Sequence, residues 1–159
     1  MKQEPVMARY PGLTPYLCVD GVGAAIGFYG TVFGAEEQLR LPWRDGRVSH
    51  AGIVIGAALV MLCEEDPERG LLSPKAIGGT AVTLNVCVED VDEVLARALD
   101  AGATPLQPLE HGLQGDRGGQ FEDPFGHRWS IAAHRGSVPV VTARRPLELV
   151  KGVAGEPPP

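Results

Sequence analysis

The chain repeats itself once. Residues 16–22 open a strand that turns into a helix and stops at Gly34 and Ala35; residues 84–91 begin the same course, which stops at Gly102 and Ala103. In this alignment Val19 matches Val88, Cys18 matches Cys87 and Gly34 matches Gly102. Two copies of one strand–helix unit predict a pseudo-symmetric sheet with a cleft shared between its halves. What lines that cleft then decides the function.

Each copy continues in the same way. In the first, strands are predicted over 13–19, 37–43, 48–55 and 58–63, with a helix over 22–33 that carries Ile26, Tyr29 and Phe33 on one stripe. Gly34 is the natural helix stop. Asp45 and Gly46 signal a hairpin. In the second, strands are predicted over 82–88, 104–109, 119–122 and 128–133. The helix between the first two carries Val91, Val94, Leu95, Ala98 and Leu99 on one face. Asp90 and Glu93 have the spacing of a capping box. Residues 123–126, with Pro124 second and Gly126 fourth, read as a tight turn. The order is βαβββ twice, an α+β fold in which two modules form a curved, cleft-lining mixed sheet with helices on the outer face. A lead-in of residues 1–11 precedes a single domain over 12–135. Module one covers 12–64, a polar connector 65–80 and module two 81–135. A flexible Pro-rich tail over 136–159 follows.

Composition narrows the partners. The 159 residues are 44% apolar, enough for one real core, and the formal net charge of −6 argues against a nucleic-acid backbone. No apolar run reaches membrane-spanning length, and the N-terminus has no signal-peptide core. Three cysteines, Cys18, Cys63 and Cys87, suit reduced thiols in the cytoplasm. Open edges of two modules predict a homodimer.

Period-two alternation assigns faces. Val82, Leu84, Val86 and Val88 are expected under the helices, with Thr83, Asn85 and Cys87 in the cleft. Thr14, Tyr16 and Cys18 face the cleft from the first strand, and His50 and Gly52 from the third. Arg128, Ser130, Ala132 and His134 face it from the last, with Trp129 and Ile131 in the core. His50 is the candidate polar anchor or general base, since its titration range suits proton transfer near neutrality; the alternative is a hydrogen bond within the sheet. His127 and His111 are expected in a turn and an exposed loop, and Glu64, Glu65 and Asp66 as a solvated run. Cys18 and Cys87, at equivalent repeat positions, could approach each other, either as small apolar residues or as a reactive pair. Arg117 could hold a polar ligand group or pair with an acid that fixes its loop. Tyr16, Trp43 and Phe125 could supply stacking walls or simply pack.

Taken in order, several segments carry a family likeness: residues 14–17, then Phe28, Tyr29, Phe33, Gly34 and Ala35, then residues 45–48 with His50 and Ala51. Residues 88–92, Gly102 with Ala103, residues 115–117 and residues 123–129 complete the series. The chain resembles the PhnB-like branch of the vicinal oxygen chelate superfamily, which also holds glyoxalase I, bleomycin-resistance proteins and extradiol dioxygenases. The likeness runs from about residue 12 to residue 134. It implies paired modules wrapping a cavity, usually in a dimer, and in the enzymes a divalent metal held mostly by His and Glu. The metal-ligand positions fall on Thr14, Met61, Thr83 and Ser130. None is an imidazole or a carboxylate, so no cofactor is expected. Relatives often carry His at the place of Asn85 and an acid at the place of Gly52.

The first expectation is therefore a metal-free protein that binds or sequesters a small organic ligand or antibiotic. Its site would draw on Thr14, Tyr16, Trp43, His50, Met61, Thr83, Asn85, Arg117, Ser130 and His134. The alternative is a superfamily lyase, isomerase or dioxygenase with His50 as base or a relocated divalent metal, for instance on His50 and Glu64. An interaction module without chemistry is the third.

Overall fold

Duplication is visible in the strand order. The computed structural model describes residues 13–111 and 117–133. The lead-in, His134 and the tail lie outside the described residues. The first module contains β1 (Tyr16–Val19), α1 (Val22–Phe33), β2 (Glu36–Pro42), β3 (Val48–Ile55) and β4 (Ala58–Glu64). The connector holds a 3-10 turn (Pro67–Arg69) and the one-turn α2 (Pro74–Ile77). The second module contains β5 (Thr83–Cys87), α3 (Val91–Asp100), β6 (Thr104–His111), β7 (Arg117–Glu122) and β8 (Arg128–Ala133). The sheets run β1-β4-β3-β2 and β5-β8-β7-β6, the same order in both copies. β1 pairs with β4, and β5 with β8, in parallel; all other pairings are antiparallel. The fold is thus α+β, two four-stranded mixed sheets carrying helices.

The two long helices start differently. At α3, Asp90 caps as expected, its carboxylate accepting from the Glu93 amide at 3.0 Å. Glu93 does not close the box; it pairs with Arg97 at 2.7 Å. At α1 no local side chain caps, and Gly21 stands at the N-cap. The cap comes from β4 instead. Glu64 accepts from the amides of Gly21 at 2.7 Å and Val22 at 2.9 Å. Its negative charge also complements the positive end of α1, which has no acid in its own first turn. The expected solvated run at 64–66 is corrected here. Glu65 accepts from the Ser73 amide, and Asp66 caps the 3-10 turn. Gly34 closes α1 at φ 67°, a conformation that favours glycine.

Both sheets share one core. Leu17, Val19, Ile53 and Leu62 from the first sheet, Val22, Phe28 and Tyr29 from α1, Val94 and Ala98 from α3, and Phe121, Trp129 and Ile131 from the second sheet form a single buried cluster. Tyr29 and Phe33 of α1 meet the Trp129 ring at 5.4 and 4.8 Å, although Trp129 belongs to the second sheet. The helix-covered faces of the two modules therefore share one core. Between the halves of one chain run two crevices, one of about 400 Å³ lined by Ile55, Val60, Asn85 and Cys87 among others, and one of about 380 Å³ lined by Tyr16, Cys18, Leu84 and Arg128 among others. Val82 also departs from expectation. It lies before β5 and is 63% exposed, while Leu84, Val86 and Val88 are only partly buried.

Candidate functional site

The helix-free face of the first sheet gathers the chemistry. Alternation places Tyr16 and Cys18 on β1, His50 and Gly52 on β3, and Met61 and Cys63 on β4 on this face, opposite the buried Leu17, Val19, Ala51, Ile53 and Leu62. The register sets Tyr16 beside Met61 and Cys18 beside Cys63. It sets His50 opposite Cys63 and Gly52 opposite Met61. The Tyr16 hydroxyl lies 3.1 Å from His50 Nδ1, with the two rings edge to face at 5.4 Å. Burial lowers the His50 pKa from 6.5, which favours the neutral imidazole near neutral pH. Tyr16 is 53% exposed, so the pair stands at an open surface. The Cys18 thiol is pushed up to about 12, first by burial and then by Cys63. The Cys63 thiol is raised by burial, while hydrogen bonds from Cys18 and Tyr16 draw it back. Cys63 was absent from the sequence-based site because its partner in the sheet can be read only from strand order.

The helix-free face of the second sheet is different in kind. Thr83 lies beside Arg128, Asn85 beside Ser130 and Cys87 beside Ala132. Gln120 stands opposite Ser130, and Glu122 opposite Arg128. This is a surface of neutral amides and hydroxyls with one cation and one carboxylate at its end. Gln120 and Glu122 join it only because β7 pairs with β8, which sequence spacing could not reveal.

Other expected residues sit elsewhere. The Trp43 ring carries the Arg47 guanidinium over its face at 4.7 Å, in the β2–β3 hairpin. Arg117 pairs with Asp92 at the start of α3 through two contacts of 2.9 and 2.6 Å, on the helix-covered side of β7. Phe125 is buried among Phe28 and Tyr29. His127 is not a surface residue; it is buried in the β7–β8 turn, its Nε2 at 2.9 Å from the Cys18 carbonyl of the other module. Cys18 neighbours Cys63, not Cys87, which is exposed on the second sheet.

The metal-ligand positions implied by the family likeness offer three hydroxyls and a thioether. Thr14 and Met61 belong to the first module, and Thr83 and Ser130 to the second. That donor set does not suit a divalent ion of borderline or hard character. Among the described residues no three His, Cys, Asp or Glu side chains converge to hold an ion. A relocated site on His50 and Glu64 is also not assembled, because the Glu64 carboxylate serves the α1 amides on the opposite face. No helix among the described residues is long and apolar enough to cross a membrane.

With two βαβββ modules and their faces established, comparison with known proteins places the chain. The model of the glyoxalase/bleomycin resistance protein/dioxygenase superfamily matches residues 11–131. The chain belongs to that superfamily. It is 44% identical over 124 residues to the uncharacterised protein Mb0911c of Mycobacterium bovis, covering 76% of this chain and 82% of that one. The structure of the Arabidopsis thaliana At5g48480 gene product superposes with a TM-score of 0.64 at 27% identity, over 77% of this chain and 98% of that one. The PhnB protein of Bacillus cereus shares the fold, with a TM-score of 0.63 at 20% identity, over 78% and 100% of the two chains.

Proposed function

We propose that this chain is a small-molecule-binding protein of the glyoxalase/bleomycin-resistance type, acting as a homodimer without a catalytic metal. Its ligand is an organic molecule with aromatic or apolar surface, sequestered rather than transformed. The observation that carries this reading is the donor chemistry at Thr14, Met61, Thr83 and Ser130, which offers hydrogen bonds and contact area and no cation-anchoring group. Each site joins Tyr16, His50 and Met61 of one copy to Thr83, Asn85 and Ser130 of the other. Three features support the dimer. β1 and β5 are sheet edges, paired on one side only. Tyr16, Leu72, Ile77 and Val82 beside them are exposed. A crevice of about 380 Å³ runs between β1, α2 and the β7–β8 turn.

The dye 8-anilinonaphthalene-1-sulfonate, added to chelator-treated protein, tests the binding reading. Saturable binding near one dye per chain, weakened about tenfold by either Tyr16→Ala or Asn85→Ala, is expected. Unsaturable binding, or binding indifferent to both substitutions, overturns it.

One observation favours a second reading, an enzyme of the superfamily. The Tyr16–His50 pair holds a neutral imidazole at an open surface, as a general base requires. A divalent ion retained at unit stoichiometry through purification and lost in His50→Ala would select that reading over sequestration.

A further inference from the structure

Cys18 and Cys63 occupy directly paired positions on the parallel strands β1 and β4. Both side chains project from the helix-free face. Neighbouring strands lie about 4.7–4.9 Å apart, inside the Cα separation of roughly 4.4–6.8 Å that a disulfide spans. The two side chains interact, each perturbing the other's proton affinity. Cys63 is 5% exposed, whereas Cys18 is half-buried, so the pair is reached from the β1 side. Tyr16 and His50 stand next to it on the same face. The third cysteine, Cys87, is exposed and belongs to the other sheet.

We propose that Cys18 and Cys63 form a redox-active dithiol, closed by a peroxide into an intrachain disulfide that ties β1 to β4 beside Tyr16 and His50. Burial raises both thiols, Cys18 to about 12; hydrogen bonds from Tyr16 and Cys18 offset part of the rise at Cys63, so Cys63 reacts first. The Cys63 sulfur attacks one peroxide oxygen. An S–O bond forms, the O–O bond breaks, and the departing hydroxide takes the Cys63 proton as water. The Cys18 sulfur then displaces the hydroxyl of the Cys63 sulfenic acid. The S–S bond forms, the S–O bond breaks, and the Cys18 proton leaves with that hydroxyl as a second water. Two thiols are oxidised and one peroxide is reduced to two waters.

The full chain, fully reduced and then exposed to hydrogen peroxide, tests this. After unfolding in excess alkylating agent, tryptic mapping reads each cysteine separately, because arginines and Lys75 place the three on different peptides. A linked Cys18–Cys63 peptide pair lacking two hydrogens, with Cys87 alkylated, is expected. Cys87→Ser gives the same link, and Cys18→Ser abolishes it. Full alkylation of both Cys18 and Cys63, a link to Cys87, or links only between chains overturns the inference.

Discussion

Asp123 is the residue on which the two modules depend. It is 2% exposed and accepts four hydrogen bonds. One oxygen takes the Tyr29 hydroxyl at 2.7 Å and the Trp129 indole N–H at 2.8 Å. The other takes the amides of Phe125 and His127, each at 2.9 Å. Burial, followed by this carboxylate, raises the Tyr29 pKa, so the phenol remains the donor. Asp123→Ala strands four buried donors and is expected to lower unfolding free energy by about 3–5 kcal/mol. Tyr29→Phe removes one donor and is expected to lower it by about 1–2 kcal/mol. Urea titration of both variants checks the order. The turn at residues 123–126 was legible from Pro124 and Gly126. The inward aim of its carboxylate was not, because the phenol it receives is 94 positions away. His50 provides a second residue-level prediction. Its folded pKa lies below 6.5, so the unfolded chain binds its proton first as pH falls. This group's contribution makes stability rise with pH, from the folded pKa up to about 6.5, and nuclear magnetic resonance titration of the His50 ring should give a midpoint below 6.5. A midpoint above 6.5 would contradict the burial argument.

At the scale of elements, the two long helices show what local pattern can and cannot supply. Asp90 sits directly before α3, and its capping role follows from spacing alone. The cap of α1 arrives from Glu64, 43 positions from Gly21, so no window of sequence around the helix announces it. α1 also carries Gly23, Gly27 and Gly30, which weaken it as an isolated helix. Its stability comes from the cap and from Phe28, Tyr29 and Val32 in the core. Glu64→Ala is expected to lower unfolding free energy by about 1–2 kcal/mol, and Glu64→Gln by less, since the amide oxygen still accepts. Denaturant titration of the pair separates the hydrogen bond from the charge. Strand boundaries were legible within a few residues for the same reason that caps were not always. Alternation is local, as in β3 and β8, where the expected and observed limits coincide. Where exposure is high, as at Val82, alternation identifies the face and not its burial.

For the whole molecule, the repeat gave the architecture its symmetry but not the relation between its halves. Alternation correctly separated Tyr16 and His50 from Leu17 and Ala51, and Asn85 and Ser130 from Trp129. It could not say that α1 lays Tyr29 and Phe33 on Trp129. That contact joins positions about a hundred residues distant and depends on shape rather than pattern. Under the proposed composite site, each chain supplies two half-sites with different side-chain chemistry. A dimer makes each half useful, and light scattering at micromolar concentration should report two chains per particle.

Subunit mixing tests the composite site most directly. Tyr16→Ala and Asn85→Ala proteins each bind the naphthalene dye weakly, since every site in either dimer carries one defect. Unfolded together and refolded, they form mixed dimers in which one site carries both defects and the other carries none. The account predicts that dye sites of wild-type affinity reappear in the refolded mixture and are absent from either protein treated alone. A mixture whose sites all stay weak, with mixed dimers present, would contradict it and place the two half-sites within one chain.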